Sequence, residues 1–424
     1  MRPFFLIVCC MLFLLFSCGK QDVPSEPLPE EETTTVPNQD TTQVTPGGET
    51  QDPAEVEEED FLTKLNSKAF RTLYNNRGSK YASFSPLAIT CLYGMLTEGR
   101  TSVKNDFFSE SDIAALKDFC STQSDWMSSL DAEDAQLEIA NGVALDKSLT
   151  GLDAFRAAVT EKYKADLLDV DFSKSEETRD RISAWVAEKT HGRQTAFSYY
   201  QNEPKAIFLN TLFFQADWTW PFDKANTTEG YFYPGEKITK RPIVEYMNLE
   251  DPDLSFDYYH TYSFSLLTLP LGKGSCSLSI LLPSKHEDLY SWISTLNGKV
   301  WAEALAGRKK ERVRITLPKL EGTAGHCSWR LDSEELPVGE PLNPYYFWQK
   351  NAFSMDEGGV HASAGSYRSL REKNPIQTRS AAAAFSTAFR ATHPFVFVLH
   401  DSRTGLILML GYYYGYEPTP QVVD

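Results

Sequence analysis

Seven cysteines in 424 residues, none of them in a C-x-x-C pair, leave no ligand spacing for a structural zinc site or a thioredoxin-like redox centre. No H-E-x-x-H, EF-hand loop or G-x-S-x-G elbow occurs, so metalloprotease, calcium-sensor and α/β-hydrolase readings lack a motif. The seven histidines are scattered, and GKGS after Leu271 has a hairpin turn's composition rather than a phosphate loop's spacing. No metal ligand set, cofactor motif or catalytic residue is singled out. Lys and Arg are spread rather than clustered, which removes the basic face that a phosphate backbone needs and argues against nucleic acid as a partner. Residues 60–417 contain no short internal period and no Pro- or Gly-rich linker, which predicts one domain.

What is present begins with charge. The formal net charge is -17, but thirteen acids fall in residues 1–60 against only Arg2 and Lys20, leaving about -6 for the remainder. The acidity therefore belongs mainly to a leading segment. Residues 1–17 carry Arg2 and then the apolar run PFFLIVCCMLFLLF, too short and too terminal for a stable span, and are expected to be a removable export signal. Leu15, Phe16, Ser17 and Cys18 resemble the bacterial lipobox, so Cys18 is the expected lipidated residue, anchoring the chain to the cell envelope at the outer membrane or cell surface. Residues 18–59 are rich in Pro, Thr, Gln and Glu with almost no aromatics, a composition expected to give a disordered tether. The folded unit is expected at 60–417, followed by a short tail at 418–424. Cys91, Cys120, Cys276 and Cys327 are expected to be buried free thiols.

Within 60–417, FLTKLNSKAFRTLY places Phe61, Leu65, Ala69 and Leu73 at helical spacing. Ser85 followed by Pro86 starts a second helix in SPLAITCLYGMLTEG, since a serine oxygen caps free N–H groups and proline fits the first turn. Helices also fit GLDAFRAAVTEKY and EETRDRISAWVAEKTHG, the latter stopped by Gly192. Strand patterns follow in LEIANGVAL, KAIFLNTLFFQ, SFSLLTLPL, SCSLSILLP and RVRITLPKL. HPFVFVLHD and GLILMLGYY flank the turn SRTG and predict a hairpin. Helices first and strands mostly later predict an α+β domain. Between two strand candidates lies the small, polar stretch MDEGGVHASAGSYRSLREKNPIQTRSAAAAFSTAFRA, longer than a neutral connector tends to be.

These segments resemble one family. FSPLAITCLYGMLTEGRT is similar to the serpin segment FSPxSIxxALxMLxxGAxGxT, and IFLNTLFFQADWTWPFDKANTTEGYFY to LVNAxYFKGxWxxPFxxxxTxxxxF. FRATHPF resembles the serpin F-x-A-x-H-P-F, and ANGVAL, LPL with SLSILLP, and LPKL add matches in serpin order. The resemblance implies a single-domain serpin fold with three β-sheets, eight to nine helices and a reactive loop at about 358–388. It also implies a suicide-substrate inhibitor: a serine protease cuts the loop, forms an acyl-enzyme, and is trapped as the loop inserts into a sheet. A cysteine protease is a further possible target. The competing reading is a non-inhibitory serpin acting as a surface binding or structural lipoprotein. Either is expected to be a monomer.

Carried over residue by residue, the resemblance implies a hinge at Glu357 and Gly359, with Val360 starting the inserting strand. Alternation then turns Val360, Ala362 and Ala364 inward and His361 outward. Ser85 and Asn210 match polar residues under the parting strands, with Gln349 where the family has histidine. Trp218 matches an aromatic where insertion begins, and Lys319 with Glu357 matches an ion pair there. Counting from the hinge puts the cut at Lys373–Asn374, which suits a trypsin-like protease; counting back from FRATHPF gives Arg379–Ser380 instead.

Overall fold

A computed structural model describes residues 59–76, 82–99, 112–130, 135–192, 197, 204–235, 241–284, 288–327, 345–362 and 387–415, with side chains for all of these except 82, 123–130, 321–327, 345–352 and 362. Cys18, Ala364, Lys373, Asn374, Arg379 and Ser380 lie outside the described residues. The chain runs through α1 (Phe61–Asn75), β1 (Ala82–Phe84), α2 (Pro86–Glu98), α3 (Asp112–Leu130), β2 (Ala135–Asp146), α4 (Asp153–Tyr163), β3 (Asp166–Val170), α5 (Ser175–Lys189) and β4 (Ala206–Asp217). Strands β5 (Thr228–Tyr231), β6 (Ile243–Leu249), β7 (Phe256–His260), β8 (Phe264–Leu271) and β9 (Cys276–Pro283) follow, then helices α6 (Leu289–Ile293) and α7 (Gly298–Ala306). The last elements are β10 (Lys309–Glu311), β11 (Val313–Pro318), β12 (Leu320–Cys327), β13 (Tyr345–Met355), β14 (Gly359–Ala362), β15 (Thr387–Arg390), β16 (Phe395–Asp401) and β17 (Ile407–Tyr413).

Local chemistry accounts for several of these boundaries. The Asp60 carboxylate accepts from Thr63 N at 3.0 Å and starts α1, whose Leu65, Ala69, Phe70 and Leu73 are buried. Ser85 Oγ accepts from Ala88 N at 3.1 Å and Pro86 occupies the first turn of α2. Every residue of α2 from Pro86 to Thr97 is buried. A helix apolar all round belongs inside a core, and α2 sits there.

The strands form three sheets, in an α+β fold. One runs β1-β17-β16-β9-β8-β7-β10, a second β15-β11-β6-β5, and the third β12-β13-β14-β4-β2-β3. Seven α-helices and the 3-10 turn Lys224–Asn226 accompany them among the described residues. Cross-strand pairs β2–β4 sort the third sheet into two faces. Phe208, Phe214, Ala216, Val143 and Leu145 point to the main core. Ile207, Leu209 and Ala144 point the other way, into a smaller cluster with Ile182, Trp185 and Val186 of α5. Covered on both sides, β4 is buried without a break from Ala206 to Phe214, as a central strand should be, its apolar run interrupted by Asn210 and Thr211. Cys91, Cys120 and Cys276 are buried thiols outside any disulfide.

Candidate functional site: a strand wedged into the third sheet

Strand β14 is four residues long and lies between β13 and β4 at one end of the sheet. Gly359, Val360, His361 and Ala362 pair antiparallel with Asp217, Ala216, Gln215 and Phe214. On the other side Val360 pairs with Met355 and His361 with Ser354. Farther along, β13 and β4 pair directly and in parallel, from Tyr345↔Ala206 to Trp348↔Leu209. Met355 stands across the wedge from Ala216, and equal steps down both strands lead to Tyr345 facing Ala206. The two host strands therefore keep one relative register with or without a strand between them. Lengthening β14 requires them to part sideways by about 4.8 Å, one strand spacing, without sliding.

Between the two zones, residues 210–213 of β4 have no partner strand on that edge among the described residues. Two buried polar atoms in this stretch, Asn210 Oδ1 and Thr211 Oγ1, likewise lack a hydrogen-bond partner among the described residues. Asn210 does donate through Nδ2 to Asn141 Oδ1 at 2.7 Å, and Asn141 Nδ2 donates to Tyr163 O at 2.9 Å. Gln349, next after Trp348, takes the register position facing Asn210. Ser85 is fully buried and its cap bond holds α2.

The turn that feeds β14 is gripped from several directions. Asp356 Oδ1 accepts from Gly358 N at 2.8 Å and Gly359 N at 3.2 Å. Trp218 donates its backbone N–H to Gly358 O at 2.9 Å and its indole Nε1 to Asp356 O at 2.8 Å, while Phe222 N donates to Glu357 O at 3.1 Å. A Cβ on Gly359 would lie 2.1 Å from Ala216 O, so only glycine fits where the wedge enters. Lys319 Nζ is 2.9 Å from Glu357 Oε1, and Thr227 Oγ1 donates to the same oxygen at 2.7 Å. Lys319 also reaches Glu245 at 3.4 Å.

Burial opposes charge on Glu357, but hydrogen bonds from Lys319 and Thr227 outweigh it and hold its carboxyl below the ordinary glutamate range. Burial likewise opposes the Lys319 charge, and the bond to Glu357 raises its ammonium above the usual lysine range.

The structure thus brings together Trp218, Lys319, Glu357, Gly359 and Val360, and adds Asp356, Thr227 and Asn141, none of them among the site residues expected from sequence. The inserted strand begins at Gly359, one residue before the expected Val360. Val360 faces the main core. His361 lies on the opposite face, as alternation requires, but it is buried at 4% exposure, because β4 at Gln215 and β13 at Ser354 flank it on both sides. Ala362, the last residue of β14, pairs with Phe214. No nucleophile or base is organised among the described residues here; the arrangement exchanges backbone hydrogen bonds.

A family model described as Serpin (serine protease inhibitor) matches residues 61–326. The leukocyte elastase inhibitor of Xenopus laevis is 26% identical over 373 residues, spanning 81% of this chain and 95% of that relative. Iripin-8 of Ixodes ricinus is 27% identical over 304 residues, 66% of this chain and 72% of that protein. Among solved structures, the thermophilic serpin tengpin in its native state aligns with a TM-score of 0.70 at 22% identity, covering 85% of this chain and 95% of that one. Human thyroxine-binding globulin in complex with thyroxine aligns with a TM-score of 0.67 at 17% identity over 83% of this chain and 97% of that one. At these identities the structural likeness speaks for the fold alone.

Proposed function

The chain belongs to the serpin family, and on that footing we propose that it is a suicide-substrate inhibitor of trypsin-like serine proteases. The protease cuts the segment after Ala362 at Lys373–Asn374, or at Arg379–Ser380, and its nucleophile becomes acylated. The freed strand then extends β14 down the seam between β13 and β4, carrying the protease with it before the acyl bond is hydrolysed. A misplacement of about 1 Å in a catalytic site can cost 10²-fold in rate, so a displacement along a whole strand is ample to stop deacylation. The observation that carries this reading is the shared register of β13 and β4 on either side of the wedge tip. Lipidation at Cys18 is part of the same proposal and sets the inhibitor at a bacterial cell envelope.

The test is direct. Mixed with trypsin and boiled in detergent, the protein should give a covalent complex, with a released C-terminal fragment starting at Asn374. A fragment starting at Ser380 moves the cut, and full turnover without a complex removes the inhibitory reading. Cys18→Ala should leave membranes; if it stays with them, the lipid anchor is wrong.

One observation favours a second reading, a non-inhibitory or weakly inhibitory serpin. Continuing the β14 register pairs residue 368 with Phe208, whose side chain faces the main core. Full insertion therefore directs Arg368 at that core, where an unpaired guanidinium costs several kcal/mol. Arg368→Thr should raise the fraction of protease trapped per molecule cut; an unchanged fraction means Arg368 is no brake.

A further inference from the structure

Helix α5 covers the outer face of the third sheet, and its C-terminal end is built to present one side chain. Thr190 Oγ1 donates to Val186 O at 2.7 Å, and His191 and Gly192 both turn left-handed with φ of 51° and 73°. Glycine takes that conformation freely, whereas histidine takes it at a cost. The consequence is a contact with two strands at one rung. His191 Nε2 lies 2.9 Å from Glu138 Oε2 on β2, and the His191 ring packs edge-on against Phe213 of β4 with centroids 4.6 Å apart. Glu138 and Phe213 are direct cross-strand partners. The Glu138 carboxylate is held by Gln136 as well.

That rung has a particular place in the seam. The wedge ends with Ala362 opposite Phe214, so Phe213 is the next β4 residue a lengthening strand would meet. We propose that the His191–Glu138 pair, seated on Phe213, is a latch that holds the end of α5 over the wedge tip and sets how fast the cut loop advances past Ala362. His191 and Glu138 act as positioning residues and touch no substrate. The proposal rests on the loop-insertion reading above. Their side chains are about half exposed, at 48% and 44%, so the pair adds little to global stability. A weak contact at the point where motion begins affects a rate more than an equilibrium.

The experiment uses the full chain cut once by trypsin at low ratio, with aliquots heated at intervals to follow the gain in heat resistance that marks insertion. Glu138→Gln and His191→Ala should each speed that gain by about three- to fivefold, the rate change available from an exposed side-chain hydrogen bond, with the cutting rate unchanged. The charge-swapped double variant, Glu138→Lys with His191→Glu, should return toward the wild-type rate, which a mere loss of packing would not allow. An insertion rate unchanged in both single variants, or a change in cutting rate alone, overturns the latch while leaving loop insertion intact. If the wild-type chain gains no heat resistance after the cut, loop insertion itself fails, and the latch with it.

Discussion

The seven-stranded and six-stranded sheets of this molecule bury similar residues and differ in how completely their strands are paired. In the first, β17, β16, β9 and β8 run side by side in continuous antiparallel ladders, with one irregularity at Leu399/His400. Even its buried histidine is satisfied: His400 Nδ1 donates to Asp401 O at 3.1 Å, and Nε2 accepts from Ser279 Oγ at 2.9 Å. In the second, β4 has full pairing with β2 on one edge and a broken sequence of partners on the other. Buried backbone is nearly always paired in native proteins, so a gap between two correctly registered strands marks pairing energy that is withheld. The closed sheet is a frame; the interrupted one is the part that can still gain hydrogen bonds.

Breaking the frame should have the largest effect. Phe397 of β16 is fully buried and stacks on Phe353 of β13 at 4.2 Å, where the two sheets meet. Phe397→Ala should cost about 3–5 kcal/mol, and calorimetry should find the uncut and loop-cleaved forms destabilised alike. A loss confined to one form would mean that the sheets do not share that contact through the transition.

Acid should also act on the frame. Burial pushes the His400 imidazole from 6.5 down to about 4. The unfolded chain then takes up a proton near pH 6.5 that the folded chain refuses, so this contribution is whole above pH 6.5 and fades as pH falls toward 4. The total is about 3 kcal/mol, at 1.36 kcal/mol per unit. Melting temperatures between pH 7 and 5 should show this slope, and His400→Gln should flatten it while lowering stability at neutral pH.

A smaller effect is expected at the turn feeding the wedge. Glu357→Gln weakens the bond from Lys319, at a cost of about 1–3 kcal/mol to the uncut form. The depressed Glu357 carboxyl contributes above pH 4.5 and loses its contribution as pH falls through its folded value; the raised Lys319 contributes below pH 10.5 and loses it as pH rises through its own. The penalty of the variant should therefore be constant at neutral pH and vanish in acid. A penalty that persists at pH 3 would assign it to packing.

Local signals in the sequence make much of the frame legible. The SRTG turn between two apolar runs marks the β16–β17 hairpin, and Ser85 with Pro86 marks the start of α2. Other elements carry weaker signals. Helix α3 begins DIAALKD and continues with Ser, Thr, Cys and Trp, a pattern that long-range packing has to decide. Of the site, Glu357, Gly359, Lys319 and Trp218 are reachable through family resemblance. Asn141 and Thr227 lie inside matched segments, but their contacts come from register and long-range packing: Asn141 faces Asn210 across β2 and β4, and Thr227 meets Glu357 from a distant turn. A polar residue inside a strand pattern looks like an exposed position until its cross-strand partner is known.

The smallest expected effect is the most specific to the interrupted sheet. Thr211 is buried on β4, inside the stretch with no partner strand on one edge, and its hydroxyl has no hydrogen-bond partner among the described residues. An unsatisfied buried hydroxyl costs about 1–3 kcal/mol, and an isosteric apolar side chain removes that cost without opening a cavity. Thr211→Val should therefore stabilise the uncut protein, by about 1 kcal/mol once the imperfect match of hydroxyl to methyl is included. In the loop-cleaved form, an added strand brings donors and acceptors alongside residues 210–213, and the hydroxyl gains a possible partner. There the same substitution should be neutral or mildly destabilising. Paired melts of the uncut and cut variant against wild type measure the difference. Stabilisation of equal size in both forms would show that the inserted strand never reaches Thr211, and that the two sheets differ less than their pairing suggests.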